Sequence, residues 1–258
     1  MDILQLQHDL TAITTQVAGF ERLGMAYLAG SHLYGFASPY FSDYDVRGIH
    51  VEPLASALGL DPLRETLSVT HSFPESRVEL KSYDIRHLAR LICQGHNANL
   101  YEMVVGGIVL RTAPWEDELV ELTKQTLTSK MVLSHEGHAN KLWRRFLEEV
   151  PQNVKPLLHA YRLLYSGILL LSTGAVELSL PTLCQLFKDG EVADLVTQRV
   201  SGDPVAPLDV LYHRMRLDQL QLRLAQAYAA TTLPSEVTPE VGAAWQALVA
   251  RIRLEGGL

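Results

Sequence analysis

The sequence predicts an α/β (α+β) N-terminal domain with a small mixed sheet, followed by an all-helical C-terminal domain. Up to about residue 125, short apolar or alternating segments are separated by stretches rich in Gly, Ser and Pro. Beyond that point, apolar residues recur at the three- and four-residue intervals of helices. The 258 residues suffice for one large or two small domains. We therefore expect domains at 1–125 and 126–258.

The N-terminal domain is predicted to begin with a helix and to contain three strands. Apolar residues at largely helical intervals predict the helix over 3–20. The apolar segment 25–30 (MAYLAG) is typical of a short buried strand. β-Branched residues alternate in 45–51 (DVRGIHV), and polar and apolar residues alternate in 77–81 (RVELK), so both segments are predicted to be strands.

The remaining segments are predicted to be helices and irregular connections. Residues 53–74 indicate an irregular connection that carries a short helix. From residue 83 the spacing is helical again, and Gly95 stands at a typical stop position. In the second half, helices are predicted over 115–129, 137–149, 155–172, 180–188, 208–228 and 239–252.

Composition narrows the class of protein. No apolar run reaches the roughly 20 residues of a membrane-spanning helix, and the N-terminus lacks the apolar stretch of a secretion signal. We therefore expect a cytoplasmic protein that does not contact the membrane. The net charge of -7 disfavours binding of long nucleic acid over a broad basic surface, although a local basic patch is compatible with it. Cys93 and Cys184 show no disulfide or zinc spacing and are predicted to be buried thiols.

Two carboxylates stand two residues apart, at Asp43 and Asp45. On an extended strand both side chains point to the same side, a few ångströms apart. Like charges that close repel each other unless cations lie between them. Carboxylate oxygens suit Mg²⁺ or Mn²⁺, with the remaining ligand positions filled by water and phosphate oxygens.

A Gly30-Ser31 pair directly follows the first predicted strand. A glycine there lets the backbone approach a phosphate closely, and the serine adds a hydroxyl donor to the exposed backbone N–H groups. The pattern predicts an anion-binding loop at the same sheet edge as the paired aspartates. A further acidic ligand is expected for a two-metal site, and Glu79 on the third predicted strand is the natural candidate.

The order of these motifs resembles the nucleotidyltransferase superfamily with the polymerase-β-like fold. Within it, the sequence looks like the RNA-ligase-associated group, labelled RlaP or YcgL-like. The runs that carry the resemblance are LAGSHLYGFASPYFSDYDVRGIHV, VELKSYDIRHLARLICQGHNANLYEMV, KMVLSHEGHANK and HAYRLLYSGILLLSTG. Together they extend over both predicted domains.

The resemblance implies roles for individual residues. Gly30 and Ser31 would bind the triphosphate, Asp43 and Asp45 would bind both Mg²⁺ (or Mn²⁺) ions, and Glu79 would complete the shell of the catalytic metal. The further residues that match the pattern of the group are Arg47, Asn97, Asn99 and Glu102. The resemblance assigns Arg47, Asn97 and Asn99 to the nucleotide site.

For several of these residues the sequence is also compatible with a purely structural role. Arg47 could instead pair with Asp43 or Asp45, and Asn97 and Asn99 follow a helix end, where Asn commonly serves as a cap. The tyrosines at 34 and 44 could stack on a base or be buried with an exposed hydroxyl. The basic residues Lys141, Arg144, Arg145, Lys155 and Arg162 suit either a solvated face or a patch that steers a triphosphate or an RNA end.

The predicted activity is metal-dependent, two-metal transfer of a nucleoside monophosphate from an NTP to a hydroxyl, with release of pyrophosphate. The expected partners are the NTP and an RNA end or an RNA ligase system. Two alternatives stay open: AMP transfer to a protein or small molecule, and a non-catalytic nucleotide-binding or scaffold protein. The sequence does not indicate the oligomeric state.

Overall fold

The computed structural model describes residues 3–40, 43–60, 62–74, 77–95, 97–150, 153–204 and 207–255. Within these ranges five strands form one sheet: β1 (Leu23–Ala29), β2 (Asp43–His50), β3 (Thr66–Ser72), β4 (Arg77–Asp84) and β5 (Ile108–Arg111). Their spatial order is β3-β4-β2-β1-β5. β2 and β4 are parallel and the other neighbouring pairs are antiparallel, so the predicted small mixed sheet is confirmed.

The sheet is larger than the three predicted strands. The connection predicted over 53–74 contains a short helix, as expected, but also the edge strand β3, whose residues alternate between exposed and half-buried. β5 has four residues and pairs with β1, far away in the sequence. β4 continues to Asp84, beyond the predicted end at residue 81. The prediction ended early because the last two buried positions of the strand, Ser82 and Asp84, are polar and do not continue the apolar alternation.

The helices are α1 (Ile3–Gln16), α2 (Gly30–Leu33), α3 (Leu54–Leu58), α4 (Ile85–Cys93), α5 (Ala98–Gly106), α6 (Glu116–Gln125), α7 (Met131–Glu148), α8 (Val154–Thr173), α9 (Leu180–Phe187), α10 (Gly190–Ser201), α11 (Val210–Ala230) and α12 (Pro239–Leu254). Side chains of Asp, Asn, Ser or Thr cap α4, α5, α8, α9, α10, α11 and α12 at their N-termini. α5 and α10 were absent from the sequence prediction.

The chain forms two compact units. The first comprises Met1–His32, Ser42–Thr126 and Val237–Leu258, and the second comprises Leu33–Phe41 and Leu127–Glu236. The break after Thr126 lies beside the expected division at 125/126, but α12 joins the first unit and the segment after the Gly30-Ser31 turn joins the second. Helical periodicity alone does not tell which unit a helix packs against.

In the first unit, α12 packs against α4 and α6. Its buried side chains include Trp245 and Ile252. Arg253 at its end donates to Asp84 Oδ1 (2.6 Å) and to the carbonyl of Glu52 (2.6 Å), and all three residues are buried. Because a buried ion pair tolerates little movement, this contact fixes the C-terminal helix to the ends of β2 and β4.

In the second unit, α8 is the central helix, and α7 and α11 pack against it. Two tyrosines of α8 make buried polar contacts. The Tyr161 hydroxyl shares a hydrogen bond with His213 Nδ1 (2.9 Å), and the Tyr165 hydroxyl donates to Asp189 (2.5 Å). Asp189 also accepts from Arg216 (2.6 Å) and caps α10, so one carboxylate ties three helices together. Among the described residues, none of the helices is both long and apolar enough to span a membrane.

Candidate active site

The turn after β1 lies directly against Asp45. Gly30 has φ of +65°, a left-handed conformation that favours glycine. A Cβ added at Gly30 would overlap the carboxylate of Asp45, which is consistent with Ala29 and Asp45 being partners across the β1–β2 pair. Ser31 follows within α2 and is buried. The predicted phosphate loop and the predicted acidic strand therefore meet at one sheet edge.

The parallel pairing of β2 with β4 aligns the three predicted carboxylates. Asp45 is the register partner of Glu79, and Asp43 is the partner of Arg77. Register partners on neighbouring strands are about 4.8 Å apart and point to the same face, as do residues two apart on one strand. Asp43, Asp45 and Glu79 thus share one face of the sheet.

Buried polar contacts at the other end of these strands hold this register. His50 Nδ1 shares a hydrogen bond with Ser82 Oγ (2.9 Å), and the Glu52 N–H donates to Asp84 Oδ2 (3.2 Å). Burial lowers the pKa of His50, which favours the neutral ring. A one-residue slip would break both bonds and would separate Asp45 from Glu79.

The three carboxylates are accessible, and among the described residues they have no cationic partner. Asp43 and Glu79 are exposed and Asp45 is half-buried. No described residue donates a hydrogen bond to them or forms an ion pair with them. Two nearby cations have other contacts: Arg47 donates to the carbonyl of Val46 (3.0 Å) and Lys81 lies over the Tyr83 ring. Arg47 therefore does not pair with Asp43 or Asp45 in this structure. Arg77 is the register partner of Asp43 but forms no ion pair with it in the described ranges.

The donor set fits Mg²⁺ or Mn²⁺, because it consists of carboxylate oxygens that no cation in the described ranges neutralises. Across the described ranges, however, no three His, Cys, Asp or Glu side chains are already gathered as a metal centre. The backbone brings the three acids to neighbouring positions, and closure around a metal would come from rotation of exposed side chains.

The other predicted site residues have varied surroundings. Asn97 caps α5 by accepting from the Leu100 N–H (3.4 Å), Asn99 is exposed, and Glu102 is buried. Tyr44 packs against His32, with ring centroids 4.5 Å apart, a contact that sequence reasoning missed because the two residues are far apart along the chain.

Tyr34 belongs to the second unit. The Arg162 guanidinium lies 4.0 Å from the centre of its ring, and the Leu180 N–H donates to its carbonyl (2.9 Å). Of the two tyrosines predicted to flank the site, only Tyr44 lies in the unit that carries the three carboxylates.

A glycine-serine turn at a strand end, with acids on the next strand and on its parallel neighbour, is the arrangement expected of a polymerase-β-like nucleotidyltransferase. Residues 5–248 match the family described as RlaP, the RNA repair pathway DNA polymerase beta family. The match extends over most of the chain, and the protein belongs to this family.

No curated protein matches the chain. Among solved structures, a nucleotidyltransferase-like protein from Exiguobacterium sibiricum 255-15 is similar at 14% sequence identity, over 98% of this chain and 88% of that one, with a TM-score of 0.35.

Proposed function

We propose that this protein transfers a nucleoside monophosphate from an NTP to a hydroxyl at an RNA end and releases pyrophosphate. The observation that supports it best is the register of β2 and β4, which makes Asp45 and Glu79 direct partners beside the Gly30-Ser31 turn. The family supplies the class of enzyme and the connection to RNA repair.

In this proposal Asp43 and Asp45 hold two Mg²⁺ (or Mn²⁺) ions and Glu79 completes the shell of the catalytic one. Bound there, the ions would lower the pKa of the acceptor hydroxyl and neutralise the leaving pyrophosphate. The carboxylates orient these ions from one face of the sheet and take no covalent part in the reaction. Positioning of the two substrates supplies much of the remaining rate enhancement.

The Gly30-Ser31 turn holds the triphosphate in this proposal. Because Gly30 has no side chain, a phosphate can approach the backbone next to the Asp45 carboxylate. The Ser31 hydroxyl and nearby backbone N–H groups would donate to the phosphate oxygens. We extend the nucleotide site to Arg47 and Asn99, whereas the capping bond of Asn97 favours a structural role for that residue.

The test is transfer from labelled NTPs to RNA oligonucleotides with defined ends, in Mg²⁺ and in Mn²⁺. Asp43→Asn, Asp45→Asn and Glu79→Gln should abolish labelling and pyrophosphate release. Glu121→Gln, which removes an exposed carboxylate of α6, is the matched control and should retain both. Equal labelling by Asp45→Asn and the control would refute the proposal.

Acceptor choice is tested separately. If an added protein or small molecule is labelled and no RNA gives a product, the acceptor is that protein or small molecule and not an RNA end. If an NTP raises the melting temperature in the presence of metal but pyrophosphate is never released, the protein is a nucleotide-binding module without turnover.

A further inference from the structure

A small pocket in the second unit lies between α7 and the beginning of α8. It has a volume of about 160 Å³ and is lined by His138, Leu142, Arg145, Asn153, Lys155, Pro156 and His159. No carboxylate is present among these lining residues. Its polar groups are two imidazoles, an amide, an ammonium and a guanidinium, which are mostly hydrogen-bond donors.

His159 lines this cavity, which we call the phosphate pocket from here on. Its ring meets Phe36 and Tyr34 edge to face, with centroids 4.7 Å and 5.4 Å apart. In the described part of the chain, no hydrogen bond to this ring is present. Burial, together with the cations Arg162 and Lys155, holds the pKa of His159 well below its usual value. A neutral ring next to cations keeps one N–H free to donate.

The cations of the pocket are not equally available. Arg145 donates to Glu149 (2.5 Å), so its charge is already paired. Lys155 is half-buried and has no anionic partner in the described ranges. Asn153 accepts from the Lys155 N–H (2.9 Å) through its Oδ1, which leaves its amide hydrogens free. Lys155 and the Asn153 amide can therefore donate to the same ligand.

The size of the pocket limits its ligand. Its volume of about 160 Å³ is small. Sites for drug-sized ligands usually measure about 300–1,000 Å³, so a whole nucleotide does not fit. One tetrahedral anion with its remaining hydration does, and donors without a carboxylate select an anion over a cation.

We propose that the phosphate pocket binds a single phosphate group, with Lys155, Asn153 and His159 as donors. The group could be carried by an RNA strand or by a nucleotide, since both present the same phosphate oxygens. The phosphate pocket belongs to the second unit, whereas the three carboxylates belong to the first. Its existence does not depend on nucleotidyl transfer.

The experiment follows the ring signals of His159 by NMR in the full-length protein, labelled at histidine. The probes are inorganic phosphate, ATP, and one short RNA with either a 5′-phosphate or a 5′-hydroxyl. Saturable shifts of the His159 ring are expected with phosphate-bearing probes. A preference for the phosphorylated RNA over ATP would identify an RNA phosphate as the ligand, and the reverse would identify the nucleotide.

Two variants test Lys155 and Asn153 as donors, and their melting temperatures show whether a loss of binding comes from a loss of folding. Lys155→Gln removes the unpaired charge and should weaken phosphate binding about tenfold or more, as expected for a charged hydrogen bond. Asn153→Asp retains the cap of α8, since Asp is as good an N-cap as Asn, but places a negative charge at the pocket. It should retain the melting temperature of the wild type and lose binding.

Lys141→Gln is the matched control, because it removes the same charge from an exposed position of α7 that does not line the pocket. Its affinity should stay near that of the wild type. The proposal is overturned if no probe gives a saturable His159 shift, or if Lys155→Gln and Asn153→Asp bind as Lys141→Gln does. Repeating the titration with Asp45→Asn separates this site from the proposed catalytic one, because the pocket should still bind.

Discussion

Asp45 on β2 and Glu79 on β4 are direct partners in a parallel strand pair, and no described cation neutralises either of them. Their backbones are about one strand spacing apart, and two carboxylates that approach to that distance of about 4.8 Å repel by about 1 kcal/mol in water, and by more where solvent is excluded. The hydrogen bonds at His50 and Asp84 hold the strands in the register that maintains this repulsion. A cation bound between the two carboxylates would attract both of them, and the metal site is proposed for this reason.

Glu79→Gln should lower turnover roughly a hundredfold or more, because a neutral amide is a poor ligand for a hard divalent cation. Glu79→Asp retains the charge and shortens the side chain by one methylene, so it should retain a measurable part of the activity. Steady-state turnover and Mn²⁺ affinity, from paramagnetic broadening, measure the two effects. If Glu79→Gln binds Mn²⁺ as tightly as the wild type, Glu79 is not a ligand.

Gly30→Ala should both destabilise the protein and displace the Asp45 carboxylate, since the new Cβ overlaps it. Gly174→Ala isolates the cost of the left-handed backbone, because Gly174 has φ of +74° and open space around its Cβ position. We expect about 1 kcal/mol for Gly174→Ala and a larger loss for Gly30→Ala. Gly137→Ala, in an open position of α7, should stabilise by about 0.5–1 kcal/mol.

Urea unfolding of the three variants gives these free energies, and NTP turnover gives the effect on the site. Only Gly30→Ala should lose turnover. Equal losses of stability at Gly30 and Gly174 would mean that Asp45 moves aside without cost.

The strands differ in how strongly the sequence marks them. β1, β2 and β4 were predictable because apolar or alternating residues mark them. β3 was not, because its residues are polar and only half-buried, and β5 was not, because four residues carry little pattern and pair with a distant strand. The sequence predicted strands that contain Asp45 and Glu79, with Asp43 just before the first of them, whereas β2 begins at Asp43. The parallel register depends on pairing between segments that are not adjacent along the chain.

In the second unit, too, contacts between residues that are distant in the sequence could not be predicted. Asp189 looked like part of a turn that ends a helix, but it also caps α10 and accepts from Tyr165 and Arg216. Neither partner is near it in the sequence. Local patterns predict helices and caps, and long-range polar contacts come only from the folded chain.

Arg253→Met should cost about 3–5 kcal/mol of unfolding free energy, because it leaves the buried Asp84 carboxylate without its cationic partner. The control is Arg214→Met, which breaks an exposed pair with Asp218 one turn away on α11 and should cost less than about 1 kcal/mol. Urea titrations at neutral pH measure both. Similar losses for the two variants would show that the contact between α12 and Asp84 adds no more stability than a surface pair.

Asp189→Asn should make the stability of the protein less dependent on acid pH. Burial alone would raise the pKa of Asp189, but hydrogen bonds from Tyr165 and Arg216 outweigh it and lower the pKa below its usual value. A carboxyl with a lowered folded pKa contributes stability above its unfolded pKa of about 3.9, and this contribution is lost as pH falls through the folded pKa. Asn still caps α10 but carries no charge, so the variant should be less stable at pH 7 and closer to the wild type near pH 3.

Tyr165→Phe removes one of the two side-chain donors to Asp189 and should reduce the same pH dependence only in part. Urea unfolding of the wild type and both variants at pH 7 and pH 3 tests this. A gap between Asp189→Asn and the wild type that is equally large at both pH values would mean that the charge of Asp189 does not stabilise the fold. The contacts with Tyr165 and Arg216 would then stabilise the fold to the same extent with a neutral side chain at position 189.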